Sequence, residues 1–192
     1  NGMDKGRIPR LNIQPTLKAD GGLKMKHDND YNIGLKNIWD VVCYDSDGQE
    51  KWRESNRNLV TTEGLNHVLS IVLDGGTQIT GWYVALKGAG SAAAGDTMSS
   101  HSGWSEDVTY SDSYRQTLTL GTASSGSIDN TASKANFSIN GSATIAGAFL
   151  VSSDSKSSSS GTLYGVVDFA SSRAVISGDT LIVTVTLTAA SA

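Results

Sequence analysis

The spacing of apolar residues predicts one helix, at about residues 62–74. Apolar side chains at i, i+3, i+4, i+7 and i+8 share one face of a 3.6-residue period. They are Leu65, Val68, Leu69, Val72 and Leu73. Either Thr61 or Thr62 can cap the start of this helix, and two glycines at 75–76 can end it. His67 lies beside the stripe, so we interpret it as an ordinary half-exposed histidine outside any site.

The rest of the chain after about residue 36 shows the two-residue period or the short apolar runs of β-strands. The candidate strands are 37–44, 49–54, 79–87, 104–110, 114–120, 134–139, 143–151, 162–169, 174–178 and 181–188. A DSDG turn at 45–48 joins the first two as a hairpin, with glycine where a positive φ is needed. Many short strands and one short α-helix predict an all-β protein, a jelly-roll-like β-sandwich.

The first 35 residues differ from the rest, and we predict an extended N-terminal arm at 1–35 followed by a β-sandwich domain at 36–192. Both prolines, Pro9 and Pro15, lie in the arm, where they disfavour a helix or a central strand. The arm contains apolar residues, among them Ile8, Leu11, Ile13 and Leu17. Solvated tails usually contain few such residues, so our hypothesis is that these four form an interface with a neighbouring subunit. A mobile terminus is the alternative.

Charge and cysteine content exclude several classes of protein. The chain has 15 Lys and Arg against 19 Asp and Glu, a net charge of −4, and this balance disfavours direct contact with nucleic acid. It contains no apolar run of about 18 residues, so no membrane span is expected. The single cysteine, Cys43, excludes an internal disulfide and is interpreted as a small buried hydrophobe in a strand.

Candidate catalytic residues are few, and we expect no enzyme activity. His101 has Asp96 upstream and serines on both sides, but all three residue types lie in one short stretch, so separate elements cannot position them. We therefore interpret His101 as a loop histidine packed by Trp104. Glu106 and Asp107 are adjacent on a predicted strand and point to opposite faces, so we interpret them as solvated charges.

Metal and cofactor sites are also not expected. Asp45 and Asp47 alternate as in a calcium loop, but Asn56 stands where an EF-hand needs a bidentate glutamate, and the flanks are strands. A hairpin turn is the simpler interpretation. Glycan binding stays open, because aromatic side chains can stack on sugars, although aromatic residues on strands are more often core. The aromatic candidates are Trp39, Trp52, Tyr83, Trp104 and Tyr110.

Several stretches of the sequence carry a family resemblance. They are NLVTTEGLNHVL (58–69), GWYVAL (81–86), AAGDTM (93–98), HSGWSE (101–106), ASKANFSI (132–139), GAFL (147–150) and SGDTL (177–181). Together they resemble small virion proteins of tailed bacteriophages, akin to capsid cement or decoration proteins. The resemblance covers roughly residues 36–188, leaves the first 35 unmatched and includes no catalytic motif.

The resemblance implies a structural protein rather than a catalyst. A cement protein is a compact β domain that binds the outer capsid surface and stabilises contacts between major capsid protein subunits, and it needs contact area and many copies. We therefore expect a homo-oligomer, a dimer or a trimer, on the outside of a virion, with no cofactor, no membrane and no direct nucleic acid contact. The alternative is a tail or fibre module that binds host surface glycans. A hydrolase is a third and weaker hypothesis.

Overall fold

The computed structural model describes residues 33–191 and the two short segments 16–17 and 23–24. The chain divides into two units, residues 1–33 with 191–192, and residues 34–190. In the first unit, Thr16–Leu17 (β1) pairs antiparallel with Leu23–Lys24 (β2), and Leu17 lies opposite Leu23. This short ladder lies inside the stretch for which the sequence predicts an extended arm.

The second unit is built on two antiparallel sheets. The strands of the first sheet are Ile33–Tyr44 (β3), Glu50–Arg57 (β4), Ser127–Asp129 (β9), Ala135–Ser138 (β10) and Thr180–Ser191 (β13). They lie in the order β10-β13-β3-β4, and β9 pairs with β13. The β3–β4 hairpin turns where the sequence predicts it, at 45–48, and Gly48 has a φ of 77°.

The strands of the second sheet are Leu59–Val60 (β5), Tyr83–Gly90 (β6), Trp104–Asp107 (β7), Gln116–Thr117 (β8), Ala143–Val151 (β11) and Leu163–Val175 (β12). They lie in the order β5-β12-β11-β6-β7, and β8 pairs with β6. The helix, Thr62–Leu73 (α1), directly follows β5. Among the residues described, no helix has the length and apolarity to cross a membrane.

The main core lies between the two sheets. The first sheet contributes alternate residues to it, Trp39, Val41 and Cys43 from β3, for example, because successive side chains of a strand point to opposite faces. Val84 and Leu150 belong to the same cluster from the facing sheet. The prediction of an all-β sandwich with one short α-helix is therefore confirmed.

Burial also raises the pKa of the Cys43 thiol to about 12, as expected of a buried, unreactive cysteine.

The second sheet is covered on both faces. A second cluster of buried residues lies on the face that does not meet the first sheet, and it includes Ala85, Phe149 and Val166. Met98, from the loop between β6 and β7, and Trp104, the first residue of β7, belong to this cluster as well. Burial on both faces explains why β11 is a continuous apolar run rather than an alternating pattern.

Helix α1 is fixed to the second sheet at its first turn. The Thr61 hydroxyl accepts a hydrogen bond from the N–H of Gly64 and donates one to the carbonyl of Leu163, so Thr61 is the cap. Glu63 accepts the N–H of Leu163 at 2.8 Å. A Cβ added to Gly64 would lie 2.2 Å from the carbonyl oxygen of Tyr164, so only glycine allows this approach.

We predict that Gly64→Ala destabilises the protein by about 1–3 kcal/mol, because the new methyl group forces α1 away from β12. In an exposed helix the same substitution would stabilise the protein by about 1 kcal/mol, because alanine favours a helix more than glycine does. Destabilisation therefore points to the contact with β12. Urea unfolding measures the change. Gly95→Ala is the matched control, because open space surrounds its Cβ position. A Gly64→Ala variant as stable as that control would contradict the contact.

Candidate binding surface

The apolar stripe of α1 faces solvent rather than the core. Its exposed fractions are 42 % for Leu65, 56 % for Leu69, 71 % for Val72 and 78 % for Leu73. Only Val68 of the predicted stripe packs against the core. An amphipathic surface helix normally turns its apolar stripe inward, so this outward orientation is the unusual feature of the domain. We call the four exposed residues the α1 face.

The opposite side of α1 makes the contacts with the sandwich. Gly64 and Val68 lie on this side, together with His67 and Ile71, which line a cavity beneath the helix. The His67 ring contacts Trp82 edge to face, with 5.6 Å between ring centroids. His67 is half-buried, as expected, but its position on a cavity wall differs from the interpretation that it lies outside any site. The close contact between Gly64 and β12 determines which side of α1 faces the sandwich. The size of the apolar side chains alone would predict that Leu65, Leu69, Val72 and Leu73 face it instead.

Helix α1 has an acidic residue at each end and no basic residue near it in the sequence. Glu63 lies in the first turn, Asp74 caps the last turn, and no basic residue lies in that last turn. The sequence contains no Lys or Arg between Arg57 and Lys87. The last helical carbonyls add a partial negative charge at the same end as Asp74. The surface therefore suits a partner with an apolar patch and a basic rim.

The predicted interface of the arm falls almost entirely outside the described residues. Ile8, Leu11 and Ile13 lie there, and Leu17 is placed only by its backbone pairing with Leu23. The hypothesis that these four residues contact a neighbouring subunit stays a prediction.

The aromatic residues considered for glycan stacking belong mainly to the interior. Trp39, Trp104 and Tyr110 are buried. Trp52 and Tyr83 are half-buried, and Trp52 packs edge to face on Phe169 at 6.1 Å between centroids. The burial of the first three leaves no open ring face on them for a sugar, so the core interpretation holds there.

His101 and Asp96 do not form a catalytic pair. The Asp96 carboxylate accepts the Trp104 indole N–H at 2.8 Å and the Ala93 N–H at 2.9 Å, so it ties the loop together. The Nδ1 atom of His101 lies 3.0 Å from the carbonyl of Thr97, and its ring lies 4.3 Å from that of Trp104. His101 is the loop histidine packed by Trp104 that the sequence predicts.

The interpretation of Glu106 as a solvated charge is wrong. Glu106 forms a bidentate salt bridge with Arg115, at 2.9 and 2.7 Å, and both side chains are almost completely buried. Arg115 also donates to the carbonyls of Ser153 and Ser158, so one guanidinium holds the serine-rich segment that follows β11. The neighbouring Asp107 carboxylate accepts the N–H of Thr109 instead of pairing with Arg115.

Asp45 builds a turn rather than a calcium loop. Its Oδ1 atom accepts the N–H groups of Asp47 and Gln49, which closes the β3–β4 hairpin. Within 33–191 and the short β1–β2 ladder, no three His, Cys, Asp or Glu side chains group closely enough to hold a metal ion.

A scan against protein-family models finds no match, and a search of the curated proteins finds none either.

We predict that Arg115→Met costs about 3–5 kcal/mol of unfolding free energy, because Glu106 is left as a buried carboxylate without its partner. The serine-rich segment should also loosen, and trypsin should then cut faster at Lys156, which lies in it. Urea unfolding and limited proteolysis measure the two effects. Arg53→Met removes an exposed pair with Glu50 that solvent screens, so it should leave the urea midpoint almost unchanged. Equal effects of the two variants would contradict the structural role of Arg115.

Proposed function

We propose that this chain is a structural virion protein of a tailed bacteriophage. It binds the outer capsid surface and stabilises contacts between major capsid protein subunits, as cement or decoration proteins do, and it works as a homo-oligomer without catalysis or a cofactor. The sequence resemblance suggests the class. The α1 face is the observation that carries the proposal, because it offers a ready surface for a protein partner.

An exposed apolar face on a fixed helix is best explained by a partner that covers it. Single exposed apolar residues are common on protein surfaces, but several on one helix face mark an interaction site. The contacts of Thr61, Glu63 and Gly64 with β12 hold α1 in place before binding. Binding through a preorganised surface loses little conformational entropy, which suits a protein that contributes area rather than chemistry.

Charge supports a capsid surface rather than nucleic acid as the partner. Residues 61–192 hold 5 basic and 10 acidic residues, and the α1 face has acids at both ends. Phosphate backbones would repel such a surface, whereas an apolar patch with a basic rim on a capsid subunit would complement it. In this proposal the N-terminal arm, with Ile8, Leu11, Ile13 and Leu17, adds contacts to a neighbouring subunit. The burial of Trp39, Trp104 and Tyr110 gives the glycan-binding alternative no support.

The first test is the amount of this chain in purified phage particles relative to the major capsid protein. Quantitative mass spectrometry should give a ratio of about one, or a simple fraction of it, because a cement protein repeats with the capsid lattice. A ratio of only a few copies per particle would favour the tail or fibre alternative. Absence from the particles would overturn both.

The second test addresses the α1 face directly. We expect the double variant Leu69→Ser, Val72→Ser to bind at least tenfold more weakly to capsids assembled without this chain, which corresponds to about 1.4 kcal/mol. Sedimentation with capsids measures binding, and circular dichroism checks that the variant is folded. Ile176→Ser is the control, because Ile176 is 55 % exposed in the turn between β12 and β13. Unchanged binding of the double variant would remove the α1 face from the proposal.

A further inference from the structure

A cavity of about 170 Å³ lies beneath α1. The helix contributes His67, Val68 and Ile71 to its lining, and the second sheet contributes Leu150 and Tyr164. The contacts that fix α1 to the sheet lie in its first turn, whereas the cavity lies under the turns that follow. The second half of the helix therefore spans a space that its own side chains do not fill.

The lining of this cavity is apolar and uncharged. Apart from His67 and Gln78, every described residue that lines it is aliphatic or aromatic, and none is Lys, Arg, Asp or Glu. Burial raises the pKa of the Tyr164 phenol above its usual value, so this wall also stays neutral. An ion that entered would lose its hydration and meet no opposite charge, so the lining excludes charged ligands.

One wall of the cavity is aromatic. The Trp82 ring contacts the His67 ring edge to face, with 5.6 Å between centroids, and the Tyr164 ring in the same way, at 5.8 Å. All three residues line the cavity. Aromatic rings attract one another through edge-to-face and offset stacked contacts, so this wall favours a ligand that is itself a ring.

The size of the cavity limits the ligand further. An apolar cavity of about 150 Å³ stays dry and binds one benzene molecule, so this one suits a single six-membered ring with one small substituent. A ring of that size gains dispersion contacts that an unfilled space lacks, and it displaces no hydrogen-bonded water. Gln78 is exposed and Ile79 is half-exposed, so a ligand has a path from solvent between α1 and β6.

We propose that the cavity beneath α1 is a binding site for an uncharged apolar molecule with a single six-membered ring. The ring contacts Trp82 and Tyr164 on one side and Val68 and Ile71 on the other, and so supports the second half of α1 from beneath. This site is separate from the α1 face, because none of the four residues of that face lines the cavity.

The test titrates the full chain with toluene, naphthalene, benzoate and benzylammonium. We expect one toluene to bind per chain, at least tenfold more tightly than naphthalene, and to raise the urea midpoint, whereas the two charged rings should not bind. Non-specific adsorption would favour naphthalene instead, because it has the larger apolar area. Calorimetry and urea unfolding measure the two effects. Absence of saturable toluene binding, an equal or higher affinity for naphthalene, or binding of a charged ring as tight as that of toluene would overturn the proposal.

Two variants of Ile79 locate the probe. Ile79→Trp fills the cavity from its rim and should weaken toluene binding at least tenfold. Ile79→Ala enlarges the cavity, so it should tighten naphthalene binding at least tenfold. Ile176→Trp and Ile176→Ala are the matched controls, because Ile176 is 55 % exposed in a turn and does not line the cavity.

Circular dichroism checks that each variant is folded, and Ile79→Ala alone carries the test if Ile79→Trp does not fold. Unchanged toluene binding in folded Ile79→Trp, unchanged naphthalene binding in Ile79→Ala, or equal effects of the Ile176 variants would each contradict the site.

Discussion

The contact between the first turn of α1 and the start of β12 determines the surface of this domain. Thr61 bonds the carbonyl of Leu163, Glu63 bonds its N–H, and Gly64 lies against the carbonyl of Tyr164. A helix held this closely by its backbone cannot rotate to bury its larger apolar side chains. The α1 face is therefore directed to solvent by the helix start, and Tyr164 is left as a wall of the cavity beneath.

Buried charges organise the other side of the second sheet. Lys87 is completely buried and bonds the carbonyls of Gly88 and Gly90, and its ammonium lies 3.0 Å from Asp168. Arg115 holds the serine-rich segment in a similar way. Removing two charges from water is costly, and pairing them often only compensates for it. The buried cations Lys87 and Arg115 bond the carbonyls of loops that have few apolar residues of their own, and in this way they fix those loops.

The sequence was sufficient for the parts of the fold that local chemistry decides. The DSDG turn at 45–48, a threonine cap at the start of α1 and the alternation of β13 each depend on neighbouring residues, and each was predictable, although the choice of Thr61 over Thr62 was not. The orientation of α1 was not, because it depends on a long-range approach of Gly64 to β12. Glycine in the first turn of an otherwise good helix was the available signal. The burial of Glu106 and Lys87 also escaped prediction, because on an alternating strand a charged residue is expected to face water.

The α1 face can be altered without changing the contacts that position the helix. Leu69 and Val72 point away from the sandwich, whereas Glu63 and Gly64 contact β12. Substitution of Leu69 or Val72 therefore removes apolar contact area for a protein partner and leaves the attachment of α1 to the second sheet intact. A loss of capsid binding in a folded variant of this kind would reflect the surface itself rather than a change in the domain that carries it.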